Sequence, residues 1–335
     1  MKLDDFGYTL PPEMIAQRPV SPRDKAKLMV IDRKKGTIFH DVFSGIGKYL
    51  PSQSLIVLND SKVIPARLFG RRPAGGEVEI FLLNKLSDGY SFKTMIRPLK
   101  KVKVGEKIKI GKNGLYAQLV DPAERIVRFN KKNILRYLGR IGHMPLPPYI
   151  KRPDTALDKK DYQTVYAKKP GSVASPTAGL HFTRSLLNRL KKDGHVFEKI
   201  TLHVNYATFK PVEEPDIIDH RMHKESYCVT VRARNAIRKA STQGKKIVAI
   251  GTTSCRVLET LGGTAQCSGE TDIFIYPGYR FVNTDILITN FHLPYSTLLM
   301  LVYAFGGSEL IKRAYREAVS RKYRFYSYGD AMMIL

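Results

Sequence analysis

Apolar, β-branched residues gather in short runs that read as buried strands: Leu55-Ile-Val-Leu, Ile200-Thr-Leu-His-Val, Lys246-Ile-Val-Ala-Ile, Ile273-Phe-Ile-Tyr and Ile286-Leu-Ile-Thr. Between some of them the apolar positions recur with helical spacing. That spacing predicts helices over residues 185 to 192, ended by Asp193-Gly194, and over residues 231 to 240, ended near Gly244. A further helix is predicted after Pro294, with Ser296 or Thr297 as its N-cap and Gly306-Gly307 closing it. Strands alternating with helices predict an α/β domain whose sheet is mostly parallel and flanked by helices.

The pattern changes between residues 66 and 150. Glu77-Val-Glu-Ile-Phe-Leu-Leu, Tyr90-Ser-Phe-Lys-Thr-Met-Ile, Glu106-Lys-Ile-Lys-Ile, Leu115-Tyr-Ala-Gln-Leu-Val and Ile126-Val-Arg-Phe alternate and are punctuated by Ser-Asp-Gly and Lys-Asn-Gly turns. Five such strands predict a small β-barrel inserted into the α/β domain, with residues 1–65 and 151–335 forming a discontinuous catalytic domain around an insertion at 66–150. Pro145-Leu-Pro-Pro-Tyr reads as a stiff return linker.

Charge adds a partner to this outline. The chain has 335 residues, with 56 Lys and Arg against 30 Asp and Glu, a net charge of +26. Complete internal pairing would still leave a large cationic excess, which points to a polyanion. The barrel segment alone holds 18 cations and 6 anions. Lys100, Lys101 and Lys103 on the barrel, and Arg316 and Arg321 on a C-terminal helix, are the candidate contacts for it; a solvated barrel surface is the plainer alternative. No apolar run is long enough to span a membrane, and the acidic N-terminus lacks a signal peptide's apolar stretch, so the expectation is cytoplasmic. Three cysteines without close spacing indicate neither disulfide framework nor zinc site.

Candidate chemistry sits where strands end. His292 and Asn290 lie in the crossover after Ile286-Leu-Ile-Thr, where open α/β sheets bind ligands. Gly251-Thr-Thr-Ser-Cys-Arg256 is a turn and helix start whose N–H groups, with the hydroxyls of Thr252, Thr253 and Ser254 and with Arg256, form a candidate anion cradle; a capped turn that binds nothing is the alternative. Thr177, Gly179 and His181 stand in a segment of small residues that lets a ligand approach the backbone. His223 and Glu225 are acid–base candidates, and the neighbouring Arg221 and Lys224 argue against a metal at His220 and His223. The C-terminal tyrosines, Tyr323-Arg-Phe-Tyr-Ser-Tyr, fit either base stacking or a core. Neither a P-loop nor a dinucleotide fingerprint is present.

Taken together, these residues resemble the S-adenosylmethionine:tRNA ribosyltransferase-isomerases of queuosine biosynthesis. The likeness runs through Leu58-Asn-Asp-Ser-Lys-Val-Ile-Pro-Ala-Arg, Pro145-Leu-Pro-Pro-Tyr-Ile, Tyr162-Gln-Thr-Val-Tyr-Ala, Gly171-Ser-Val-Ala-Ser-Pro-Thr-Ala-Gly-Leu-His-Phe-Thr, Met222-His, Gly251-Thr-Thr-Ser, Tyr276-Pro-Gly-Tyr, Thr289-Asn-Phe-His-Leu-Pro and Tyr328-Gly-Asp-Ala-Met. It departs at Lys224, where Ser is usual, and at Asn205-Tyr206-Ala207, where a Gly-Leu-Gly stretch is usual. The resemblance implies S-adenosylmethionine as a consumed ribosyl donor with no further cofactor, and a monomer acting on tRNA that carries 7-aminomethyl-7-deazaguanine. Epoxyqueuosine is the implied product, with adenine and methionine released. It also implies His181, His223, Glu225, His292 and Asp330 as acid–base candidates, and Thr177, Gly179, Thr252, Thr253, Ser254, Arg256 and Asn290 as donor contacts. A non-enzymatic RNA-binding factor and a small-molecule nucleoside transferase are the rival readings.

Overall fold

The computed structural model describes residues 1–112, 114–206 and 211–335. Asn113 of the Lys-Asn-Gly turn and Ala207 of the family departure lie outside them. In chain order the strands are β1 (Lys27–Asp32), β2 (Thr37–Val42), β3 (Leu55–Asn59), β4 (Ser61–Val63), β5 (Arg67–Arg71), β6 (Glu77–Lys85), β7 (Ser91–Arg97), β8 (Lys107–Ile110) and β9 (Leu115–Asp121). They continue with β10 (Ile126–Phe129), β11 (Lys169–Ser172), β12 (Val196–Leu202), β13 (Glu225–Val229), β14 (Ile247–Ile250), β15 (Ser268–Thr271), β16 (Ile286–Asn290) and β17 (Ala331–Ile334). The helices are α1 (Leu138–Ile141), α2 (Asp158–Asp161), α3 (Arg184–Lys192), α4 (Val231–Thr242), α5 (Thr252–Gly262), α6 (Thr297–Gly306) and α7 (Ser308–Ser320).

Nine strands form one sheet in the order β15-β13-β12-β3-β14-β16-β17-β1-β2. It is mixed, which corrects the expectation of a mostly parallel α/β sheet. The pairs β12–β3, β3–β14, β14–β16 and β17–β1 run parallel, whereas β15–β13, β13–β12, β16–β17 and β1–β2 run antiparallel. The reason is physical: an apolar run reports burial on both faces, not strand direction. Ile286–Asn290 and Ala331–Ile334 are buried at every position, yet they are antiparallel to each other. Ile273-Phe-Ile-Tyr belongs to no strand; its apolar side chains pack on the core from an irregular segment.

The alternating side chains of the central strands feed two cores. Met29, Val57, Ala249, Leu287 and Met332 face α4 to α7, while Leu28, Ile56, Val248, Ile288 and Met333 face α3 and Phe43. Six strands close into an antiparallel barrel in the order β10-β7-β6-β5-β8-β9, with β10 pairing β9. Sequence pattern missed its first strand, Arg67–Arg71, because Gly70 interrupts the alternation. A Cβ there would lie 2.9 Å from the Lys109 carbonyl. Leu68, Ile80, Phe92, Ile108 and Val127 fill the barrel. The chain enters it after β4 and returns through β11, and these two strands pair in parallel.

Candidate active site

The carboxyl ends of β14 and β16 open onto one cavity. At β14 the chain turns through Gly251, whose φ of +87° is accessible to glycine without strain, and starts α5 directly. Gly251 has no side-chain oxygen to cap that helix, so the cap acceptor expected there is missing. Thr252 and Thr253 face the cavity. Thr253 Oγ1 is buried and has no hydrogen-bond partner among the described residues, and the same holds for Ser254 Oγ one residue deeper.

At β16 the strand ends in Asn290, whose Nδ2 donates to the Tyr326 carbonyl (3.0 Å) while its Oδ1 finds no partner. His292 follows. Its Nε2 lies 2.7 Å from Thr289 Oγ1, its N–H donates to Tyr315 Oη (2.9 Å), and its carbonyl accepts from the Tyr8 hydroxyl. These three contacts fix the loop before Ser296 Oγ caps α6 by accepting from the Leu299 N–H (3.2 Å). Burial pushes the His292 imidazole down to a pKa of about 3, so it is neutral at pH 7.

His181 ends a single 3-10 turn, Thr177–His181, just before α3. It is 4% exposed and lies against Phe43 with ring centroids 4.9 Å apart. Burial lowers its pKa to about 4; the nearby Asn290 side chain opposes that shift, although neither His181 Nε2 nor Asn290 Oδ1 completes a hydrogen bond. Thr177 lines the cavity beside Asn290. Gly179 serves packing, since a Cβ there would come within 2.0 Å of the Tyr166 hydroxyl.

A second cavity adjoins the first at Leu298. It holds the exposed His223 and the buried pair Glu225 and Arg256. Arg256 Nη1 donates to Glu225 Oε2, Arg256 Nε donates to the Ile273 carbonyl (3.3 Å), and Glu225 Oε1 accepts from the Asn205 N–H (2.9 Å). The cradle expected on one turn is therefore shared between two cavities, with Thr252 and Thr253 in one and Arg256 in the other.

Asp330 stands apart from both. It is 2% exposed, and its carboxylate accepts from the N–H groups of Lys27 (3.0 Å) and Arg324 (2.8 Å), tying the C-terminal loop to β1. Burial raises its pKa against those hydrogen bonds. Lys100, Lys101 and Lys103 are exposed on the barrel; Arg316 is exposed on α7, and Arg321 pairs with Glu317 at 3.0 Å.

Sequence reasoning missed Ser175, Tyr149, Tyr326 and Ser327 in the first cavity. Tyr149 and Tyr326 lie with ring centroids 4.7 Å apart, and the Tyr149 hydroxyl meets Ser327 Oγ at 2.6 Å. Tyr326 has a φ of +70°, a backbone outlier for a bulky residue. The tyrosine-rich C-terminus was the available signal, but it pointed to RNA stacking or a core as readily as to a cavity wall. Among the described residues no group of three or more His, Cys, Asp or Glu could hold a metal, and no helix is long and apolar enough to cross a membrane.

The chain is similar to known proteins over its whole length. A family model described as queuosine biosynthesis protein matches residues 3–334. The chain is 49% identical over 344 residues to the S-adenosylmethionine:tRNA ribosyltransferase-isomerase of Caldanaerobacter subterraneus subsp. tengcongensis, covering 100% of both proteins. It is 47% identical over 341 residues to that of Carboxydothermus hydrogenoformans, again over 100% of both. The crystal structure of an S-adenosylmethionine tRNA ribosyltransferase from Thermotoga maritima matches with a TM-score of 0.57 at 39% identity, covering 99% of this chain and 100% of that one. The chain belongs to the S-adenosylmethionine:tRNA ribosyltransferase-isomerase family of queuosine biosynthesis.

Proposed function

We propose that the cavity at the strand ends holds the adenosyl half of S-adenosylmethionine, and that the protein transfers and isomerises the ribosyl moiety onto the aminomethyl group of 7-aminomethyl-7-deazaguanine at the tRNA wobble position. The product is epoxyqueuosine, with adenine and methionine leaving. One observation carries this reading: Ser175 Oγ, Thr253 Oγ1 and Asn290 Oδ1 are buried, lack partners among the described residues, and line the same cavity. An unpaired buried polar atom costs about 1–3 kcal/mol, so three around one space favour partners that arrive with a ligand.

The chemistry needs a base for a proton beside the sulfonium, whose positive charge acidifies the adjacent C–H. It also needs help for departing adenine. His292 on the wall of this cavity, and His181 in a separate small cavity beside Arg324 and Tyr328, are neutral at pH 7 and offer lone pairs to a proton, though the burial that lowers their pKa also weakens them as bases. His223, in the adjoining cavity, is the candidate for proton delivery, while Glu225 there accepts from Arg256 and from the Asn205 N–H and so suits a proton acceptor. Asp330 suits positioning of the C-terminal loop, given its two backbone hydrogen bonds. Lys100, Lys101, Lys103, Arg316 and Arg321 supply the phosphate contacts of the RNA. The protein acts as a cytoplasmic monomer and needs no cofactor beyond the consumed donor.

The test is a donor labelled separately in ribose and in methyl, given to tRNA bearing the aminomethyl-deazaguanine base. Ribose label should enter the RNA in step with free adenine, and methyl label should stay with methionine. Methyl label in the RNA, or turnover without adenine, would reject the reading.

A further inference from the structure

We propose that S-adenosylmethionine lies across the divide at Leu298, with its adenosyl half in the first cavity and its amino-acid head in the second, where Arg256 meets the carboxylate and Glu213 and Asp219 meet the ammonium. The inference rests on the adenosyl reading above and adds a head-group site to it.

The two cavities differ in charge. Among the described residues no Lys, Arg, Asp or Glu lines the first, which is walled by aromatic rings, small residues and hydroxyls. That lining suits an uncharged nucleoside and offers a zwitterion no side chain of opposite charge, only the uncapped start of α5. The second is lined by both signs, with the buried Arg256 and Glu225 at its floor and, nearer solvent, Glu213, Glu214 and Asp219 outnumbering Arg221. Arg256 is 4% exposed, and two of its three guanidinium nitrogens are engaged, Nη1 by Glu225 and Nε by the Ile273 carbonyl. Its Nη2 has no partner among the described residues. A guanidinium held on two sides and bare on the third is oriented for a carboxylate.

At the rim the three acids are not equivalent. Glu214 accepts from His220 Nδ1 at 2.9 Å, while Glu213 and Asp219 are exposed and hold no ion pair among the described residues. Their place matters because the chain as a whole carries +26 and repels cations. The donor brings a sulfonium and an ammonium against one carboxylate, so it needs a local negative field to dock. Leu298, at the start of α6, borders both cavities and gives the apolar crossing point.

The experiment compares S-adenosylmethionine with 5′-methylthioadenosine, which keeps the adenosyl half and lacks the amino-acid head. Both are titrated calorimetrically into the full-length protein and into a Glu213→Gln/Asp219→Asn variant, whose changes are exposed and nearly isosteric. The variant should bind S-adenosylmethionine roughly tenfold more weakly, while its affinity for methylthioadenosine stays within about twofold of wild type. Equal weakening of both ligands, or of neither, overturns the head-group site and leaves the adenosyl reading standing. Wild-type protein that takes up no methylthioadenosine overturns the adenosyl reading, and the bridging arrangement with it.

Discussion

The barrel and the strand-end cavities divide the molecule's charge and polarity in opposite ways. The barrel keeps an apolar interior, with Leu68, Ile80, Phe92, Ile108 and Val127 packed inside, and puts its cations on the outer surface. At the strand ends of the large sheet the polar groups turn inward: Ser175, Thr253, Asn290, His181 and Arg256 all have buried atoms without partners among the described residues. A barrel built that way folds on its own pattern and presents a field. Buried atoms left unsatisfied cost stability and bring recognition in return. Changes in the first region should therefore alter how RNA arrives, and changes in the second should alter what happens to the donor.

The largest separation is expected at His292. His292→Ala removes a neutral imidazole held by Thr289, and general-base loss is worth roughly 10²- to 10⁴-fold in rate. Single-turnover adenine release should fall by that factor while tRNA affinity stays unchanged. A matching loss of tRNA binding would place His292 in the RNA surface and break the comparison.

Next in size is the buried pair. Arg256→Ala takes the Arg256 guanidinium from the Glu225 carboxylate, which is 4% exposed, and breaking a buried pair costs about 3–5 kcal/mol. Urea unfolding should register the loss. Adding Glu225→Gln should recover part of it, since a neutral amide is cheaper to bury than a stranded charge.

How these regions were legible in sequence follows the same division. The barrel strands alternate because one face meets an apolar core and the other meets water, so β6 to β10 could be read from Glu77-Val-Glu-Ile-Phe and its successors. Strands buried on both faces carry no such directional mark. The pattern therefore marks neither β1 nor the strand Ala331–Ile334, nor the half-exposed edge strand β2, and it predicts a mostly parallel sheet where the pairing is mixed. In the candidate site, polar residues in short loops stand out by their chemistry, as His292 and Asn290 do, and both line the first cavity. Tyr149 and Tyr326 were missed as cavity walls because an aromatic ring reads alike in a core and in a site, and only the ring pairing at 4.7 Å separates the two. The split of the Thr252 to Arg256 turn was beyond sequence for another reason: it depends on Leu298, which comes from a helix far along the chain.

Acid should expose the buried histidines. His181 and His292 have folded pKa values of about 4 and about 3, below the ordinary 6.5, so the unfolded chain binds protons first as pH falls. Their contribution is complete above pH 6.5 and is lost as pH drops toward 4 and 3, worth roughly 3 kcal/mol for His181 and roughly 5 kcal/mol for His292. Urea midpoints measured between pH 7 and pH 4 should decline accordingly, and His181→Phe should flatten the curve. A curve of unchanged slope in that variant would mean that His181 reaches water and titrates normally.

The smallest effect per residue belongs to the barrel, and it differs in kind. Lys100, Lys101 and Lys103 are exposed, so reversing all three to Glu should leave folding intact. If they neutralise phosphates, each contact removed lowers the slope of log affinity against log salt by roughly 0.7 to 0.9, and tRNA affinity at moderate salt falls by about 1 kcal/mol per contact or less. Donor affinity measured without RNA should not move, and adenine release at saturating tRNA should return to the wild-type rate. That last measurement separates a field that gathers RNA from a surface that shapes the reaction, because a gathering field is replaced by concentration whereas a misaligned acceptor is not. A rate that stays low at saturation would mean that the barrel aligns the modified base with the ribosyl carbon, and the two regions would then share the catalytic work instead of dividing it.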